Sequence, residues 1–200
     1  DTMAYTAAAL SYMVQNSAKP VVPRPAARSP STTVIPTRAT TSTVRSSTRS
    51  ATAHGGVQLV FDNKVILGTR ARKTWTRSFN AFSSIDYPET AVFRDTRLVT
   101  FLRRPADQPP VRFYERLEPA VFVLRLVPGM RADIIPLLAP HYRALVLESF
   151  GVGGLPGGEH GEMFAALRRW CESGRLAVFT TQVPHEGCDL GRLRGGPRRR

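Results

Sequence analysis

The chain has 200 residues, 42% apolar and 22% charged, enough to bury one or two hydrophobic cores. Two cysteines are too few for a disulfide scaffold and point to a reducing compartment; no run of 18 apolar residues is present to span a bilayer, and no charged-then-apolar opening marks a secretory signal. The net charge of +13 suggests a nucleic-acid binder, until the charge is located.

The first residue is Asp1 rather than Met, so the chain is expected to be a fragment or a processed product. Residues 1–16 read as a helix: Asp1 and Thr2 are N-cap residue types, and Met3, Ala7, Leu10 and Val14 recur at helical spacing. Residues 21–53 then hold 14 Ser/Thr and five Arg with no acidic or aromatic residue. The last nine residues, RLRGGPRRR, hold five more Arg. Setting both stretches aside leaves a body with a net charge of about +3, ordinary for a soluble domain. Taken at face value, residues 21–53 have too little apolar bulk to offset ordering entropy and read as a disordered linker. Without interleaved aromatics, base stacking by the basic segments is not supported, which makes nucleic acid the runner-up reading.

Residues 57–61 and 64–67 flank Asp62-Asn63, a pair suited to a two-residue hairpin turn. Residues 68–118 are mixed, and Pro105, Pro109 and Pro110 around Asp107 suggest a linker. Beyond it, 120–127 reads as a strand, 130–138 as a short helix, 144–150 as a strand, 159–173 as a helix and 175–181 as a strand. Met163, Phe164, Leu167, Trp170 and Cys171 form one apolar stripe on the longer helix, which makes Cys171 a core residue. Alternating strands and helices predict a parallel sheet covered on both faces.

Chemistry is sparse by composition alone. The loop GVGGLPGG (151–158) precedes a helix but lacks both the phosphate-loop ending and the dinucleotide spacing, so a plain strand-to-helix turn is the better reading. His160, His185, Glu186 and Cys188 match no zinc pattern, and no metal is expected. Lys73, in GTRARKT, reads by default as a solvated cation, and Asp1 as a helix cap.

Several strings go further. DTMAYTAAALSYMVQNSAKPVV resembles the stretch of bacterial asparaginases that begins inside their His-Gly-Thr-Asp-Thr motif and runs down a helix to a Lys-Pro-Val-Val strand. GGVQLVFDNKVILGTRARKTWTRSFNAFSSIDYP resembles that family's hairpin and catalytic-lysine segment. VPGMRADII, ALVLESFGVGGLP and AVFTTQVPHEGCDLG resemble its smaller C-terminal domain. The likeness covers residues 1–22 and 54–191 in collinear order and is nearest to the cytoplasmic, type I-like branch.

The resemblance implies an α/β protein, with a Rossmann-like first domain truncated at its N-terminus and a smaller flavodoxin-like parallel-sheet domain. Residues 1–104 would form the partial first domain, 105–118 a linker, 119–191 the second domain and 192–200 a basic tail. It implies hydrolysis of L-asparagine to L-aspartate and ammonia without a cofactor, in a cytoplasmic homodimer or homotetramer with no membrane attachment. Asp1 falls on the motif aspartate that holds the substrate's α-amino group, Thr2 on the residue after it, and Lys73 on the catalytic lysine. A weak hydroxyl nucleophile needs such a neighbouring base, and a backbone oxyanion site would stabilise the tetrahedral intermediate.

The departures imply little or no activity for this chain. The family's Thr-Gly-Gly-Thr-Ile nucleophile motif and the threonine before Asp1 are not in the 200 residues. Gly154 stands where many relatives carry an asparagine that reaches a neighbouring subunit's site. Residues 23–53 lose the likeness altogether, as an out-of-frame stretch would. Thr37–Thr43 can be encoded so that a two-base shift yields Ala-Arg-Asp-Asp-Leu-Asp, close to the missing family motif. Gly191–Arg198 can likewise yield Gly-Ala-Tyr-Glu-Val-Gly-Arg after a one-base shift. A frameshift is therefore the expected origin of both basic segments. Two other readings remain open at this level: a non-catalytic module for a small ligand, and a basic nucleic-acid-binding protein with steep salt dependence.

Overall fold

A computed structural model of the chain describes residues 2–22, 55–78, 80–94, 97–103, 109–158 and 161–190. Both anomalous basic stretches lie almost entirely outside these residues. The chain divides into two units, Asp1–Leu117 and Glu118–Arg200.

The first unit opens with helix α1 (Thr2–Met13), shorter than the 1–16 expected. Val14, spaced as a helix residue, instead begins strand β1 (Val14–Gln15), which pairs antiparallel with β9 (Arg112–Phe113). Asn16 follows at φ 60°, a left-handed conformation that stops a helix. Tertiary pairing thus overrode local periodicity. Residues 112–113, read as linker, are an edge strand of this unit.

Strand β2 (Pro20–Val21) pairs in parallel with β3 (Gly56–Phe61), and β3, β4 (Lys64–Leu67), β7 (Ala91–Arg94) and β8 (Arg97–Thr100) pair antiparallel in the order β2-β3-β4-β7-β8. The β3–β4 hairpin forms as the sequence predicts. Phe61 faces Lys64 across Asp62 (φ 46°) and Asn63 (φ 60°), two residues of a type able to hold left-handed backbone. The sheet is buried on both faces at its centre. Val57, Leu59 and Ile66 join Ala7 of α1 in one cluster, while Val60 and Val65 join Ala91 and Phe93 in another. That is why β3 carries apolar residues on both faces, Val57 and Leu59 on one and Val60 on the other, rather than a strict alternation.

Glycine is required where this sheet meets α1. A Cβ on Gly68 would lie 2.7 Å from the carbonyl oxygen of Ala7, so any larger residue would push the helix off the sheet. Beyond Gly68 the chain makes a separate two-stranded ribbon, β5 (Ala71–Lys73) and β6 (Phe82–Ser84), with Lys73 opposite Phe82.

The second unit is a three-stranded parallel sheet of β10 (Val121–Arg125), β11 (Ala144–Ser149) and β12 (Leu176–Thr181), in that order. Helices α2 (Ile134–Leu138) and α3 (Glu162–Glu172) connect the strands. Leu124, Leu145 and Leu147 pack with Ile135, Leu138, Met163, Leu167 and Trp170 in the core. Trp170 Nε1 donates to the carbonyl of Leu176 at 3.0 Å, fixing the largest core side chain.

Two expectations fail here. Among the described residues the sheet is covered on one face only: Val123, Val178 and Leu176 point the other way and are 58%, 43% and 61% exposed. The cause is topological. Right-handed crossovers between strands laid down in one direction place both helices on the same face; covering the second face needs a reversal of strand order. Cys171 is exposed rather than core, and Phe164 is 43% exposed. At 100° per residue, both lie some 80–100° around the helix from Met163, beyond the arc set by Leu167, Trp170 and Ala166.

Candidate active site

Two of the residues singled out in the first unit, Thr2 and Lys73, lie on the first turn of α1 and on the β5–β6 ribbon. Asp1 lies outside the described residues. Thr2 begins the helix, is exposed, and its carbonyl accepts a hydrogen bond from Thr6 Oγ1 at 3.0 Å. Met3 and Ala4, in the first turn, pack on the same apolar cluster as Ala71 and Phe82 of the ribbon. Lys73, half-buried, ends β5 directly opposite Phe82. One core therefore carries both the N-terminal turn of α1 and the strand that bears Lys73. This proximity could not be read from a separation of some 70 residues.

The ribbon is held at its open end by backbone and side chain alike. Thr74 N–H donates to the carbonyl of Ala81 at 2.9 Å, and Trp75 N–H shares that acceptor at 3.3 Å. The hydroxyls of Thr74 and Ser83 lie 2.9 Å apart. Sequence reasoning misses these two hydroxyls beside Lys73. Their only signal is the β-prone alternation of AFSS against ARKT, two short strings inside a mixed region. The helix start adds a favourable field, because unpaired N–H groups at an N-terminus attract carboxylates. A cation, hydroxyls and a helix N-terminus are each of a kind that favours a carboxylate.

In the second unit the glycine-rich loop is a compact turn. Gly151, Gly153, Gly157 and Gly158 adopt positive φ. Gly153 and Gly154 N–H both donate to the carbonyl of Phe150, and Phe150 N–H donates to that of Gly154. These amides are spent within the loop, as a strand-to-helix connection requires. The segment after β12 returns to it: Asp189 N–H and Cys188 Sγ both reach the carbonyl of Val152, at 2.9 and 3.1 Å. Of the residues weighed for a metal, His160 lies outside the described residues. Among the described residues no three of His, Cys, Asp and Glu converge in a manner suited to a metal.

Comparison with known proteins agrees in both halves. A family model for the asparaginase N-terminal domain matches residues 1–106, and one for the glutaminase/asparaginase C-terminal domain matches residues 120–199. An L-asparaginase of Thermococcus kodakarensis is 32% identical over 204 residues, covering 99% of this chain and 59% of the relative. A 60 kDa lysophospholipase of Mus musculus is 30% identical over 190 residues, covering 90% of this chain and 32% of the relative. The solved thermostable L-asparaginase of Thermococcus kodakarensis superposes with a TM-score of 0.81 at 27% identity, over 96% of this chain and 57% of that one. The chain thus spans somewhat more than half the length of the asparaginase it matches, and about a third of the lysophospholipase.

Proposed function

The chain belongs to the asparaginase family, and from that premise we propose that its reaction is the hydrolysis of L-asparagine to L-aspartate and ammonia. The observation that carries this reading is the collinear match of both family domains along residues 1–106 and 120–199. Asp1 is assigned the substrate's α-ammonium group, with Thr2 beside it. Lys73 is assigned the proton of the attacking hydroxyl. Support for Lys73 comes from its position on a ribbon that shares a core with the first turn of α1.

Hydrolysis needs more than these groups. A hydroxyl oxygen must add to the amide carbon, and its proton must pass through a base to the departing amine, which leaves as ammonia. Water must then attack the resulting ester to release L-aspartate and restore the hydroxyl. The 200 residues contain no Thr-Gly-Gly-Thr-Ile string to supply the oxygen. The chain by itself is therefore expected to show little or no turnover of asparagine. The homo-oligomer and the cytoplasmic setting belong to the same proposal; among the described residues no helix is long and apolar enough to cross a membrane.

Ammonia release from L-asparagine tests the assignment in two forms of the protein. The 200-residue chain should release none above background. The same chain preceded by a family segment that carries the threonine motif should turn over, and Lys73→Met should then lower kcat by roughly 10²–10⁴-fold, with Asp1→Asn acting mainly on KM. Turnover by the 200-residue chain alone would show another nucleophile. A silent completed protein that still bound asparagine would make it a binding module. Sequencing the gene through codons 22–53 and past codon 191 tests the frameshift. Single-base shifts bracketing these stretches would make the ten arginines accidental, and an intact frame would make them genuine.

A further inference from the structure

Lys73 stands on a slight support. Its ribbon, β5 and β6, joins no third strand among the described residues, and a two-stranded ribbon this short is marginal by itself. Strand alternation puts Ala71, Lys73 and Phe82 on one face. Ala71 and Phe82 pack there on the cluster that includes Met3, Ala4 and Ala7 of α1, and Phe61 meets Phe82 edge to face at 5.0 Å. Arg72, Thr74 and Ser83 lie on the other face, where Thr74 Oγ1 and Ser83 Oγ stand 2.9 Å apart. At the end where Lys73 sits, the N–H groups of Thr74 and Trp75 share one acceptor, the carbonyl of Ala81, so the backbone alone holds the register weakly.

The hydroxyl contact depends on that register. Ser83 pairs with Arg72, so Thr74, two residues on, meets it across the diagonal of the ladder. Slipping one strand by one residue carries its side chains to the opposite face. Phe82 is held in the core, so the slip falls on β5, and it would turn Lys73 outward as it turned Thr74 inward. Thr74 and Ser83 therefore meet only in the register that aims Lys73 at α1.

We propose that Thr74 and Ser83 are positioning residues for Lys73, a hydroxyl latch that fixes the face from which its amine emerges. The inference rests on Lys73 taking the proton in the reaction proposed above. The two hydroxyls lie on the face opposite Lys73 and act through the ribbon, not on substrate. Both belong to this chain, so the contact stands whatever further polypeptide packs on the domain. A cross-strand pair of this kind shifts a register equilibrium by up to about fivefold. A base works only within hydrogen-bond reach of the proton it takes, so the loss falls on kcat and not on KM.

Competitive acetylation with acetic anhydride reads the position of half-buried Lys73 in the 200-residue chain itself, with Lys19 and Lys64 as internal references. Thr74→Val keeps the branched shape and loses the hydroxyl. It should raise the labelling of Lys73 about two- to fivefold, while Thr74→Ser should label as the parent does. Ser83→Ala should match Thr74→Val, and the double variant should do no more than either alone, as residues sharing one contact must. In the chain completed with the threonine-motif segment, Thr74→Val should lower kcat by the same factor with KM unchanged. Unchanged labelling, or additive effects of the two variants, overturns the latch. Labelling that responds while kcat does not overturns the positioning role. If labelling responds but Lys73→Met leaves kcat intact, the assignment of Lys73 falls and the positioning role with it.

Discussion

Gln182 reaches back over the carboxyl ends of two strands. Its Nε2 donates to the carbonyls of Leu126 at 2.6 Å and Glu148 at 2.8 Å, and Leu126 is fully buried. Removing the amide takes this donor from the Leu126 carbonyl, while the Glu148 carbonyl keeps the N–H of Leu126 at 3.1 Å, so the desolvation cost falls mainly on one acceptor. Gln182→Ala should therefore destabilise the chain by roughly 1–3 kcal/mol, read as a lower urea midpoint with an unchanged slope. Leu147, fully buried at the centre of the same sheet, acts through volume instead. Leu147→Ala leaves a cavity in a close-packed core and should cost about 2–5 kcal/mol. By contrast, the Arg168–Glu172 pair at 2.8 Å is widely exposed, and Glu172→Gln should change the midpoint hardly at all.

Among the elements, the β3–β4 hairpin shows local sequence deciding local structure. Asp62 and Asn63 both hold positive φ, a region that costs an ordinary side chain roughly 1–2 kcal/mol. Asn63→Gly should leave the thermal midpoint level or raise it, and Asn63→Val should lower it by the equivalent of about 1–2 kcal/mol. Comparing the two variants by differential scanning calorimetry checks this, because packing alone predicts no difference between them. Helix α1 shows the opposite case. Its apolar pattern runs on to Val14, yet the helix stops at Met13 because strand pairing with Phe113 claims the next residue. Periodicity reports which face is apolar, whereas the stopping point depends on a partner about 100 residues away.

Over the whole molecule, the sheet of the second unit leaves a row of Val123, Val146 and Val178 in register across three strands on its open side. Exposed contiguous apolar surface of this kind lowers solubility. Replacing Val123 and Val178 with Thr keeps the β-branched shape that strands favour while weakening the apolar patch. The double variant should bind less of a hydrophobic dye and stay soluble at higher concentration, with its unfolding free energy within about 1 kcal/mol of the parent. An unchanged dye signal would place the exposed surface elsewhere.

Much of the architecture was legible in the residues. The hairpin at Asp62-Asn63, the three strands of the second unit and the two helices between them all followed from apolar runs and turn chemistry, since these depend on neighbours in sequence. The family was legible too, in strings such as DTMAYTA and GTRARKT, and both family domains match the chain. Of the site, the sequence identified Lys73 and Thr2 as positions of interest only through those strings; composition alone made them a solvated cation and a helix end. What tertiary structure decided was adjacency. It put the β5–β6 ribbon and the first turn of α1 on one core, paired Thr74 with Ser83, and turned Cys171 outward. It also left one face of a parallel sheet open, because crossover handedness and strand order act only once the strands have assembled. Periodicity carries a residue's relation to its own helix or strand; which other element it meets is fixed by packing, which no local pattern encodes.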